Sequence, residues 1–269
     1  SGVYTDFLVE RYLRLAAVMR SVPGITQQQM AADVKTSLSE QAAVEVHAFG
    51  GVEGTRGVTY YFRYLAYVLM AVVILGVTST MLVFNQPDLR RRNFCSPLHL
   101  VNMNLQLVLG NLTFALAAWA VLCGISFLLY RGDMLTPAAP LLVLDSLVYT
   151  LVCLSLAFLV GNLIRSRNAQ SAVANVLSLG SCFISGVFVP QEYLGKGVLT
   201  FASFLPTYWY VTIVNELNGL TASHPVDSRP IAAGVLIQLG FAAALLAVSL
   251  AVAKYKHTGE DMTYENLEQ

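Results

Sequence analysis

The chain has 269 residues, 56% of them hydrophobic and 12% charged, with a mean hydropathy of +0.61. Water-soluble domains are about 45–50% apolar and about 25% charged, so this composition excludes an ordinary soluble domain. Sixteen basic residues balance sixteen acidic ones, so total charge favours neither an acidic nor a basic partner, and no nucleic-acid partner is expected.

Residues 1–59 are not lipid-like. Tyr4, Phe7, Leu8, Tyr12, Leu15 and Met19 recur at helical spacing, and Val22-Pro23-Gly24 stops that helix. Thr26 and Gln29 form a capping box for a second helix ending near Glu40. Val44 to Val46 alternates like a short strand, and Gly50, Gly51, Gly54 and Gly57 lead flexibly into the first apolar run. Two amphipathic helices and one strand are too little to close a core alone. The expectation is a small α+β extracellular remnant, the C-terminal part of a domain whose upstream portion is missing.

Beyond it lie charge-free runs at Tyr64–Phe84, Leu105–Tyr130, Ser146–Ile164 and Ile231–Ala253. Each matches the roughly 20 residues a helix needs to cross the hydrocarbon. With the run ending at Pro190, the predicted spans are 60–84, 105–130, 140–163, 171–189 and 231–253. The second half of that region, 191–218, is broken by Pro206 and reads as a re-entrant or interfacial outer hairpin; Tyr208 and Trp209 suit the membrane interface. Irregular backbone at that depth must be covered by protein or line a cavity. Residues 254–269 form a tail.

Charge sets the expected orientation. Five crossings put Arg90, Arg91, Arg92, Arg165, Arg167, Lys254 and Lys256 on one side, against Arg131, Lys196 and Arg229 on the other. Lys and Arg collect on the cytoplasmic side of short loops. Residues 1–59 are therefore expected outside, and the C-terminus in the cytoplasm.

The segment NQPDLRRRNFCSPL (85–98) then faces the cytoplasm. Pro87 ends one helix and pre-sets a short new one; Ser96 and Pro97 read as N-cap and first position of the next long helix. The residues alone allow two readings of this elbow. One is an anchor for anionic headgroups, each basic residue contributing about 1 kcal/mol. The other is a docking knob for a cytoplasmic protein, to which Leu89 and Phe94 add apolar contact.

Asp145 falls inside the third span, where carboxylates are costly and often functional. Water, Arg63 and Arg131 are candidate structural partners; a substrate or ion contact is the functional reading. Ser171, Asn175, Ser178, Cys182 and Ser185 recur every three or four positions, as a helix-packing seam does. Cys95, Cys123, Cys153 and Cys182 lie in or beside apolar runs without a CxxC pair and read as small packing residues. His47, His99, His224 and His257 lack ligand spacing, so no metal is expected. No GxxxxGK[ST], HExxH or GxSxG pattern is present, which leaves no basis for ATP binding or hydrolase chemistry in this chain.

Two stretches resemble type-2 ATP-binding-cassette (ABC) transporter permeases. YYFRYLAYVLMAVVILGVTSTMLVFNQPDLRRRNFCSPLHLVNMNLQLVLGNL is similar to their second span, coupling loop and third span; SGVFVPQEYLGKGVLTFASFLPTYWYV is similar to the end of their fifth span and its outer hairpin. The resemblance implies that two six-span permeases pair, as a homo- or heterodimer, and are driven by cytoplasmic ATPase subunits that hold the ATP and Mg. It makes Arg90, Arg91, Arg92, Phe94, Ser96 and Pro97 the coupling residues. It puts Pro190, Pro206, Tyr208 and Trp209 in the outer gate, and Asn175, Ser178 and Ser185 near the pathway or dimer interface; Asp145 joins these as a pathway candidate from its position inside a span alone. The family's first span is not represented, so the chain is expected to be N-terminally truncated. The expected fold is an all-α polytopic membrane protein with five transmembrane helices, and the expected function is the permease subunit of an exporter in the cytoplasmic membrane. The competing expectation is a membrane sensor or scaffold that binds a ligand outside and recruits a partner through the elbow.

Overall fold

The computed structural model describes residues 55–86, 88, 89, 92, 100–136, 138–218 and 228–265. All belong to the second of two compact units, Val52–Gln269. The helices and strand expected before residue 55 lie outside the described residues.

Among the described residues seven helices succeed one another: α1 Thr55–Phe84, α2 Leu100–Leu129, α3 Ala139–Leu163, α4 Arg167–Ser185, α5 Lys196–Ala202, α6 Pro206–Asn218 and α7 Ser228–Glu265. Single 3₁₀ turns occupy Asp133–Leu135 and Gln191–Tyr193, and no strand occurs among the described residues. Four of the described segments are long and apolar enough to cross a membrane: Gly57–Phe84, Leu105–Leu129, Ala139–Leu163 and Arg229–Tyr255. They match the predicted spans to within three residues at each end. α7 continues without a break to Glu265, so the predicted tail begins as helix.

The span predicted at 171–189 is α4, displaced toward the N-terminus. Ser166 caps it, its hydroxyl accepting from the Ala169 amide at 3.2 Å. Gly186 ends it at φ 98°, and the Gly186 and Val187 amides both donate to the Cys182 carbonyl. Left-handed backbone at a helix end is the position glycine fills without a Cβ penalty. At 19 residues α4 is about 28 Å long, comparable to the hydrocarbon. Its serines, Asn175 and Gln170 keep it outside the four strongly apolar segments. The region 191–218 is a bent pair, α5 and α6 meeting at 112° around a three-residue break that Pro206 closes.

The centre of the bundle is α3. Of its most apolar stretch 67% is buried, against 39% for α1, 17% for α2 and 11% for α7. α1, α2, α6 and α7 all pack on α3, and α4 packs on α1. Phe62, Leu69, Val73, Ile74 and Val77 of α1 recur at three- and four-residue spacing and are fully buried; Tyr149 and Cys153 of α3 and Tyr210 and Ile213 of α6 meet them in one core. Between lipid-embedded helices the hydrophobic effect supplies little, so close packing must do the holding. Gly76 shows this locally: the Phe114 ring of α2 rests where a Cβ would stand.

Two kinds of polar bond accompany this packing. Hydroxyls mostly turn back on their own helix: Thr78, Thr80, Thr113, Thr150, Ser155 and Ser178 each donate to the carbonyl four residues earlier. Bonds between helices come mostly from amide, guanidinium and aromatic side chains, though Ser181 Oγ also donates to Met70 Sδ of α1 at 3.4 Å. Tyr61 Oη donates to the Leu122 carbonyl at 2.6 Å, and Gln170 Nε2 donates to the Leu75 carbonyl at 2.8 Å and to Ser79 Oγ at 2.6 Å. Asn162 Nδ2 donates to Ser249 at 3.1–3.2 Å, through hydroxyl and carbonyl. Trp119 Nε1 donates to Ser146 Oγ at 2.9 Å.

Candidate functional site

Three places carry the residues singled out by the sequence. At the elbow, α1 stops at Phe84, where the Asn85 amide donates to Met81 O and the Gln86 amide to Val83 O. Asp88, Leu89 and Arg92 are helical; Asp88 and Arg92 are exposed, Leu89 half-buried. Arg90, Arg91, Phe94, Ser96 and Pro97 lie outside the described residues, as do Pro87 and Cys95.

At the opposite end of α1, the hairpin residues form one polar network. Pro190 precedes the Gln191–Tyr193 turn, and Pro206 opens α6. Gln191 Nε2 donates to the Ser185 carbonyl at 2.9 Å, and its Oε1 accepts from Asn215 Nδ2 at 3.3 Å. Asn215 in turn accepts from Arg63 Nη2, and the Arg63 guanidinium lies 5.4 Å from the centre of the Tyr60 ring. Trp209 Nε1 donates to the Ser203 carbonyl across the bend at 2.9 Å, and Tyr208 packs edge-on against the Trp209 ring. Thus α6 is tied to α1 through Asn215 and, by way of Gln191, to the end of α4.

The third place is the centre. Asp145 is 1% exposed, and its Oδ1 accepts from Gln238 Nε2 of α7 at 2.7 Å. Among the described residues Asp145 Oδ2 and Gln238 Oε1 have no hydrogen-bond partner. Neither arginine offered as a candidate partner takes this place: Arg63 Nη2 donates to Asn215, and Arg131 is exposed beyond the end of α2. Nearby, Tyr149 Oη and Thr207 Oγ1 lie 3.0 Å apart, Tyr210 Oη donates to the Phe62 carbonyl at 2.7 Å, and the two tyrosine rings stack at 4.6 Å.

The α4 stripe divides. Ser178, Cys182 and Ser185 face inward with Gln170 and Ala174, while Ser171 and Asn175 face outward beside Val176, Leu179 and Phe183. Cys123, Cys153 and Cys182 are buried free thiols. Sequence reading missed Gln238, Gln170, Tyr210 and Asn162 as partners. Gln238 and Asn162 are lone amide side chains in apolar runs, which is the signal that could have marked them, whereas Gln170 lies in the polar first turn of α4 and Tyr210 in an aromatic cluster, where no such signal exists.

A family model for ABC-2 family transporter proteins matches residues 8–253. No curated protein and no solved structure matches the chain. The matched span contains α1 to α6, the elbow, the bent pair and α7 as far as residue 253, and the chain belongs to the ABC-2 transporter family, as a multi-pass ABC permease.

Proposed function

We propose that this permease is the membrane subunit of an exporter powered by a separate cytoplasmic ATPase, and that the ATPase seats on the 85–98 elbow. The observation that carries the reading is the arginine triplet in a short, proline-bounded connection between two membrane helices. The helical state of Asp88, Leu89 and Arg92 supports a stiff element there, with exposed charge. Lys and Arg bias puts that end in the cytoplasm and residues 1–59 outside. ATP and Mg belong to the partner; this chain does mechanical work. Force on the elbow enters α1, which packs on α3, α4 and α6 and is bonded to α4 through Gln170, so tilting α1 moves the centre of the bundle.

In this scheme the bent pair and its Arg63–Asn215–Gln191 network form the outer gate, with Pro190, Pro206, Tyr208 and Trp209 shaping it. Asp145 acts as a structural pin to α7, as its burial and its bond to Gln238 favour. A second permease copy covers the outward face of α4, where Asn175 stands among exposed Val176, Leu179 and Phe183, whereas Ser178 and Ser185 serve packing within the protomer. The test is co-purification with the ATPase, followed by Arg90, Arg91 and Arg92 to Ala. Substrate-stimulated ATP hydrolysis should fall severalfold with the thermal midpoint unchanged, since exposed substitutions stay within about 0.5 kcal/mol. Full coupling in the triple variant, or modification of a cysteine at position 92 by an impermeant reagent added outside intact cells, would sink the proposal.

A further inference from the structure

Asn111 of α2 is 2% exposed, yet its Nδ2 has no hydrogen-bond partner among the described residues. The side chain lines a groove of about 350 Å³ between α1 and α2, at the elbow end. Phe84, Leu107 and Phe114 form its apolar walls, and Thr80 and Gln106 stand beside Asn111. Thr80 Oγ1 is already committed to the Gly76 carbonyl at 3.0 Å, so the Asn111 amide is the deep donor left over. An apolar cavity between helices with a few placed polar groups, at the small end of the range of about 300–1,000 Å³, has the character of a ligand site.

Depth identifies the ligand's chemistry. Asn111 lies about 9 Å inside the apolar segment that begins at Leu105. That 25-residue segment is about 37 Å long, longer than the roughly 30 Å hydrocarbon core. Its ends therefore overhang into the headgroup zone, and Asn111 sits just beneath the seam between headgroups and chains. Glycerolipids carry their ester carbonyls, which are acceptors only, at this seam. α2 is little covered by the rest of the chain, and Val108 and Leu109 beside the groove are exposed. We propose that the groove binds a diacyl glycerolipid, an acyl chain lying between Phe84 and Phe114 and an ester carbonyl accepting from Asn111 Nδ2. A buried amide without a partner in lipid is costly, and the ester supplies the partner.

The assay titrates purified permease with a diester phosphatidylglycerol or its dialkyl-ether analogue, counting bound lipid by native mass spectrometry. The ester lipid should bind about two- to tenfold more tightly, the worth of one hydrogen bond. Asn111→Leu should erase that preference, weakening ester binding and leaving ether binding unchanged. Gly110→Phe should weaken both lipids, because nothing lies within 4 Å of a Cβ added there and the ring fills the groove. Equal affinity of the unaltered protein for ester and ether lipid overturns the assignment, as does an equal loss for both in Asn111→Leu. High-yield disulfide cross-linking between copies bearing Val108→Cys in native membranes would also overturn it, since a second copy then covers the groove. Should Asn111→Leu fail to fold, the ester–ether comparison and Gly110→Phe still decide.

Discussion

Exchanging Asp145 and Gln238 for apolar residues, singly and together, tests whether their bond or their burial dominates. The 2.7 Å bond joins two side chains that are 1% and 0% exposed, with one oxygen on each left unsatisfied. Asp145→Leu strands the Gln238 amide, and Gln238→Met strands the Asp145 carboxyl. An orphaned buried polar group costs about 1–3 kcal/mol, and more when charged. Each single variant should therefore unfold about 2–12 °C lower, at about 2–4 °C per kcal/mol for a chain of this size. The double variant removes both orphaned oxygens along with the bond and keeps similar volume, so it should recover to near the parent midpoint. The coupling energy is then about 2–6 kcal/mol, well above the average of about 0.6 kcal/mol for side-chain hydrogen bonds between membrane helices. Equilibrium unfolding in mixed micelles reads it directly. Additive losses, with the double variant as unstable as the two singles summed, would refute the argument.

Two further outcomes rest on local geometry. Gly186→Ala puts a side chain on left-handed backbone at φ 98°; it should destabilise by about 1–2 kcal/mol, and an unchanged midpoint would mean that the α4 cap is relaxed differently. Tyr210→Phe deletes the bond to the Phe62 carbonyl while keeping the stacked ring against Tyr149. The loss should be about 0.5–1.5 kcal/mol, against about 3–5 kcal/mol for Tyr210→Ala, and equal losses in both would remove the hydroxyl from the account.

How much of the fold was legible in the sequence depended on the range of the signal. Uninterrupted apolar runs located α1, α2, α3 and α7, because hydrocarbon thickness imposes a length that few other structures need. Hydropathy misplaced α4 for an equally physical reason. Its first turn, Arg167 to Gln170, is polar and so lies outside the apolar run, although Ser166 offered a capping residue; its end at Gly186 was signalled by glycine rather than by Pro190. The bend at Pro206 was readable from proline alone. Asp145 could be recognised as buried, but its partner stands 93 residues away on α7, and which helix face meets which neighbour is a property of packing that no local pattern contains. The same blindness left the orientations of Ser178 and Asn175 open, one inward and one outward on the same helix.

The habit of the hydroxyls has a mechanical consequence. Because Thr78, Thr113, Thr150, Ser155 and Ser178 bond within their own helices, those bonds travel with the helix when it slides or rolls against a neighbour. Resistance to such gliding is concentrated at the bridges made by amide, guanidinium and aromatic side chains, and between them most of the surfaces in contact are lubricated by side chains that ask nothing directional of each other.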